Sequence, residues 1–198
     1  MRLPTEMRQT EIVAAALHLA KEVSPALITT SEIAQVVGIS QGAVFKHFPS
    51  KDAIWVVAME WVGVQLLATL EAAAHAEHSP VAGLGSVFHA HVAFVIAHPG
   101  VPRVIFHELQ QPADSATKQQ VRLLLQNYRK LLLRLLDEAV QQGELAPALN
   151  REAGVTLFIG IVQGLVMQSM LAGKPSTMKT QADAVFALYL HGLYEGAP

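Results

Sequence analysis

Thr30-Ser31-Glu32-Ile33-Ala34-Gln35-Val36-Val37-Gly38-Ile39-Ser40-Gln41-Gly42-Ala43-Val44-Phe45-Lys46-His47-Phe48-Pro49 has the spacing of a helix-turn-helix. Two short helices that cross steeply need a small residue where they touch, a turn residue that tolerates positive φ, and apolar side chains bracketing the turn. Ala34 supplies the first and Gly38 the second. Ile33, Val37, Ile39 and Val44 close the angle from inside, and Ser40 is placed to cap the second helix. The outward side of that helix reads Gln41, Gly42, Ala43, Lys46 and His47. Small residues there let the backbone approach a groove, Gln41 is suited to a base edge, and Lys46 to a phosphate or a guanine. Upstream, Thr29 and Thr30 can cap the first helix and turn hydroxyl or amide groups to a phosphate. Downstream, Lys51 opens a long helix at the far edge of the same groove.

Outward from this motif the whole chain reads as all-α, because apolar residues recur at three- and four-residue spacing and no run alternates strand-fashion. A first helix is expected from about Pro4 or Thr5 to about Val23, where Ser24-Pro25 stops it. After the motif, Ser50 caps a helix reaching about Glu77. Further helices are expected over 80–98, through Val104 to Leu109, over 115–142, 150–172 and 177–194, roughly nine in all.

With 198 residues, 52% of them hydrophobic, the chain can build a sizeable core. The formal net charge of −2 gives no global field for nucleic acid or membrane, so any such partner must be recognised locally. Zero cysteines exclude a disulfide scaffold, a thiolate metal site and a cysteine nucleophile. The start lacks the apolar core of a secretory signal, so a cytoplasmic location is expected. Ala153 to Gly173 is uncharged over 21 residues. Thr156, Gln163, Gln168 and Ser169 interrupt it, which favours a helix buried in protein over a membrane span.

The run Thr29-Thr30-Ser31-Glu32-Ile33-Ala34, then Val37-Gly38-Ile39-Ser40, then Phe45-Lys46-His47-Phe48-Pro49-Ser50-Lys51-Asp52 resembles the DNA-binding domain of TetR-type transcriptional regulators. The resemblance covers roughly residues 5–55. It implies a three-helix DNA-binding head over 1–50, a roughly six-helix regulatory and dimerisation body over 51–198, a homodimer, and a small effector that weakens operator binding. It places Thr30, Gln41, Gly42, Phe45, Lys46, His47 and Lys51 at the DNA. Where the family commonly carries Thr or Ser and then Tyr, this chain has Ala43 and Phe45, which lack those hydroxyls. Through residue 55 five cations (Arg2, Arg8, Lys21, Lys46, Lys51) balance five acids, so Lys46, Lys51, Arg2 and Arg8 must face the duplex for phosphate neutralisation to work.

In the body, Gly160 and Gly164 sit four apart among Val155, Ile159, Val162 and Val166, a small-xxx-small surface that admits a second helix. Together with Met167 and with Ala184, Val185, Leu188, Tyr189 and Gly192 of the last helix, they suggest a four-helix interface across a two-fold axis. Between Val81 and Leu136, Phe88, Phe94, Phe106 and Tyr128, with Trp61 on the connecting helix, suit a mostly apolar ligand that His91, Arg103 and His107 would orient. His75 and His78 are spaced to share a helical face near Glu71 or Glu77, whereas His89 and His91 point to different sides. Neither a metal site nor a cofactor is expected. No serine elbow or phosphate loop marks an enzyme. The expected function is a ligand-responsive regulator, most simply a repressor. A small helical enzyme or metal-dependent binder using the His/Glu-rich body, and a helical scaffold whose head does not bind DNA, are the alternatives.

Overall fold

In a computed structural model of the chain, described over residues 5–195, every regular element is a helix. They are α1 (Thr5–Leu19), α2 (Thr30–Val37), α3 (Gln41–Phe45), α4 (Lys51–His75), α5 (Pro80–Ala97), α6 (Gly100–Gln110), α7 (Ala116–Gln141), α8 (Arg151–Ala172) and α9 (Thr177–Glu195). The starts of α2, α3, α4, α5, α7 and α8 fall where side-chain oxygens accept the free amides of a first turn. Ser50 takes the Ala53 amide at 3.1 Å, Ser115 the Lys118 amide at 2.9 Å, and Asn150 the Ala153 amide at 3.1 Å. The ends of α2, α7 and α8 fall at glycines with left-handed backbone, Gly38, Gly143 and Gly173. Two expected ends move inward. α1 stops at Leu19, with turns to Val23, and α4 stops at His75, short of Glu77.

The chain divides into two compact units. The first contains residues Met1–Val64 and His98–Leu123, the second Gln65–Ala97 and Leu124–Pro198. The chain passes from the first to the second within α4, returns between α5 and α6, and passes over again within α7.

In the first unit α1 packs on α2 and on α6, and α2 on α3. Its fully buried side chains include Ile12, Ala16, Ile28, Ile33, Val44 and Ile54. Burying one such aliphatic side chain is worth about 1.5–3 kcal/mol, so these positions contribute to the unit's cohesion.

In the second unit α5, α8 and α9 pack on one another around an aromatic cluster. Phe88 meets Phe158 edge-on at 5.6 Å and Phe186 at 5.1 Å, and Phe158 meets Tyr189 edge-on at 5.4 Å. α4, α5 and α8 are long and apolar enough by composition to cross a membrane. In the folded chain α8 instead turns Val155, Phe158, Val162 and Val166 into this core. That corrects the reading of Val155, Val162 and Val166 as part of a face offered to another helix. Tyr189 is likewise buried, donating to the Gly154 carbonyl at 3.2 Å.

Candidate nucleic-acid interface

The turn between α2 and α3 is built as the motif requires. Gly38 has φ +74°, a conformation that a Cβ would strain, and the Ile39 amide behind it donates to the Ala34 carbonyl at 2.9 Å. Ala34 is buried at the crossing. The Ser40 hydroxyl accepts the Ala43 amide at 3.2 Å and starts α3.

At the front of α2, Thr29 and Glu32 form a reciprocal cap. Thr29 Oγ1 accepts the Glu32 amide at 3.2 Å, and Glu32 Oε2 accepts the Thr29 amide at 2.7 Å and its hydroxyl at 2.8 Å. These bonds, first from the backbone and then from the hydroxyl, hold the Glu32 carboxyl below its ordinary range, with the Lys51 charge adding to them. The sequence signal was present in the Thr29-x-x-Glu32 spacing.

The seven residues expected at the DNA take four different places. Gln41, Gly42 and Phe45 are exposed on α3, with Phe45 at 48%, and Lys46 is exposed as the residue that caps its end. Thr30 is buried at the base of that surface, and its hydroxyl accepts Gln41 Nε2 at 2.8 Å. This bond fixes the Gln41 amide, leaving Oε1 and the second N–H for a base edge. His47 is half-buried, with Nδ1 enclosed and without a hydrogen-bond partner. The tautomer that leaves no buried N–H unpaired carries its proton on Nε2. Lys51 differs most from expectation. Its ammonium points back into the unit and donates to the carbonyls of Pro25, Ala26 and Ile28. Of the other cations expected to face a duplex, Arg8 pairs with Glu11 at 2.7 Å, and Arg2 lies outside the described residues.

The expected ligand residues divide between the units. Trp61, Arg103, Phe106 and His107 belong to the first, where Trp61 meets His98 edge-on at 5.5 Å. His91, Phe94 and Tyr128 belong to the second. There His91 Nδ1 lies 3.0 Å from the Tyr128 hydroxyl, with ring centroids 5.2 Å apart. Burial lowers His91 to about 4, and burial, then the neighbouring Tyr189, pushes the Tyr128 phenol up. A neutral imidazole and a protonated phenol therefore share one hydrogen bond, whose donor is set by the imidazole tautomer.

His89 turns the other way, its Nε2 2.8 Å from Asp183 Oδ1. His78 lies beyond the end of α4, so it does not share a helical face with His75. Among the described residues no group of three or more His, Asp or Glu converges on one point.

Of the expected interface residues, Met167 and Leu188 are exposed, Leu188 at 73%, and Gly160 and Gly164 face open space. Ile159 is half-buried. The shallow groove between α8 and α9, about 500 Å³, is lined by Ile161, Gly164, Leu165, Ala184 and Val185, with Gln168, Thr180 and Gln181.

Residues 12–56 match the family described as bacterial regulatory proteins, tetR family, and residues 110–185 match the tetracyclin repressor-like C-terminal domain. The nucleoid occlusion factor SlmA of Marinomonas is 22% identical over 159 residues, covering 80% of this chain and 81% of that protein. Among solved structures, FadR of Bacillus halodurans superposes with a TM-score of 0.84 at 18% identity, covering 98% of each chain. FadR of Bacillus subtilis, solved in complex with stearoyl-CoA, superposes with a TM-score of 0.80 at 20% identity, covering 94% of this chain and 98% of that one. The ketosteroid regulator KstR2 of Mycobacterium tuberculosis does so at 0.77 and 19%, covering 95% of each chain. Proteins of this kind are DNA-binding regulators and not enzymes. With both its amino-terminal and its carboxy-terminal segments matched, the chain belongs to the TetR family of transcriptional regulators.

Proposed function

We propose that the protein is a ligand-responsive repressor that binds a palindromic operator as a homodimer and is released by a small, mostly apolar effector. The observation that carries this reading is the exposed face of α3, where Gln41 is held by Thr30 beside Gly42 and Lys46. Segment 1–50 would contact DNA and segment 51–198 would bind the effector and the second copy. The exposed apolar residues of α8 and α9 support the homodimer, since exposed patches of this kind are normally covered. Two copies would place their α3 helices in successive major grooves about 34 Å apart. An apolar effector is supported by the stearoyl-CoA complex of the Bacillus subtilis FadR structure and by the ketosteroid regulator, whose fold this chain shares.

Release would be a population shift, with the effector favouring a spacing of the two heads that misses adjacent grooves. Coupling of about 1–3 kcal/mol changes operator affinity about 5- to 150-fold. Membership in a family of soluble bacterial regulators supports a cytoplasmic location. The test is retention of duplexes from a random pool by the purified protein, at two salt concentrations. Enrichment of a palindrome with half-sites about one helical turn apart supports the reading. A folded dimer that enriches nothing refutes it.

A further inference from the structure

We infer that Lys51 is a positioning residue for the base-reading side chain Gln41, acting through the turn before α2, and not a phosphate contact. This rests on the DNA-binding reading above. It departs from what the family resemblance implies for this position.

The argument starts from the chemistry of the ammonium group, which has three N–H donors and no acceptor. Lys51 Nζ lies 2.8 Å from the Ala26 carbonyl, 3.0 Å from that of Ile28 and 3.3 Å from that of Pro25. Three donors meet three acceptors, so a phosphate oxygen could be bound only by giving one of them up. Bonds to a charged donor are stronger than neutral ones, and carbonyls stripped of such a donor are left poorly satisfied. The arrangement therefore resists exchange.

Those carbonyls belong to the short turn that delivers the chain into α2. Ile28 is buried, Thr29 is the helix cap locked to Glu32, and Thr30 is the residue whose hydroxyl holds Gln41 Nε2 at 2.8 Å. One connected path thus runs from the first residue of α4, through the turn and the cap, to the amide expected to read a base. Every link is a hydrogen bond or an adjacent peptide unit within the first unit.

Two contrasting variants test it. In Lys51→Met the stem remains and the three donors are lost, whereas Lys46→Ala removes a cation exposed at the end of α3. In the free protein, amide hydrogen exchange over Ile33 to Val37 should accelerate about tenfold or more in Lys51→Met and stay unchanged in Lys46→Ala. Unchanged exchange in Lys51→Met overturns the inference, and this reading needs no DNA.

The second readout is selection from the random duplex pool. The position at which Gln41→Ala loses base preference should lose it in Lys51→Met too, while the salt dependence of binding keeps its slope. A phosphate contact would do the reverse, lowering the slope by about 0.9 per protomer and leaving preference intact. Thr30→Val guards against a Lys51→Met protein that does not fold. It removes only the acceptor for Gln41, and preserved preference at that base breaks the last link. Wild-type protein that enriches no sequence counts against the DNA-binding reading, while the exchange result still decides the role of Lys51.

Discussion

Gly100, the first residue of α6, lies so close to the carbonyl oxygen of Leu17 in α1 that a Cβ at position 100 would overlap it and stand 3.2 Å from the Lys21 amide nitrogen. Backbone is pressed on backbone there, and neither side can yield as a flexible side chain would. The contact ties α6 to the helix on which α2 packs, and residues 98–123 belong to the same compact unit as the helix-turn-helix.

Gly100→Ala should therefore destabilise the protein by about 1–3 kcal/mol, the usual range for overpacking. At this chain length that lowers the melting temperature by about 2–4 °C per kcal/mol. Gly63→Ala is the control, because a Cβ there meets nothing within 4 Å and the helix gains up to about 1 kcal/mol. Equal melting temperatures for the two variants in a calorimeter would show that the α1–α6 contact relaxes.

The helix-turn-helix was legible because its determinants are local. Ala34, Gly38, Ser40 and Val44 act on neighbours within a few residues, and their spacing is written in the chain. The helix starts at Ser50, Ser115 and Asn150 were legible for the same reason. What sequence could not show is which face of a helix meets which other helix. Val155, Val162 and Val166 were indistinguishable by type from the residues of an outer face until Phe158 and the rest of the aromatic core took up one side of α8. Arg103, Phe106 and His107 looked like continuations of the body, because nothing local says that Gly100 rests on Leu17. Lys51 looked like a phosphate ligand because its three carbonyl partners lie more than twenty residues upstream.

His91 gives the protein a pH dependence of known sign. Burial lowers its folded-state value to about 4 against an ordinary 6.5, so below pH 6.5 the unfolded chain binds a proton that the folded chain does not. Stability from this residue is complete above pH 6.5 and falls as pH drops from 6.5 to about 4, by on the order of 3 kcal/mol. Denaturant midpoints measured across that window should decline less steeply in His91→Gln, which cannot titrate. Parallel curves for the two proteins would mean that His91 keeps its ordinary affinity for protons.

The proposed dimer makes Gly164 and Leu188 separable probes. A Cβ on Gly164 meets nothing within the chain, so Gly164→Ala should leave the protomer as stable or add up to about 1 kcal/mol from helix propensity. A helix packed against that glycine would be held off by the same methyl group. Leu188 is 73% exposed in the single chain, so Leu188→Glu should be tolerated in the protomer but bury a charge at an interface. Sedimentation equilibrium should find both variants folded, with weaker self-association than wild type and a loss of at least tenfold for Leu188→Glu. Unchanged association in both would move the interface off α8 and α9.

Gln41 on α3 and Lys46 at its end are both exposed, and their losses should differ in kind. Gln41 is oriented by Thr30, so its amide is prepared for one base edge, and Gln41→Ala should remove about 1–3 kcal/mol of discrimination at a single position of each half-site. Lys46 carries a charge on a flexible stem. Lys46→Ala should weaken operator and scrambled duplex alike, reducing the salt slope by about 0.9 per protomer if the contact is to phosphate. Because the segment through residue 55 is electrically neutral, one lysine is a large share of its attraction for DNA, and the loss should be plain at moderate salt. Titrations of both duplexes at several salt concentrations distinguish the two roles. If Lys46→Ala relaxes preference at a guanine and leaves scrambled duplex unaffected, Lys46 is a base reader, and the nonspecific attraction has to come from cations elsewhere on the surface.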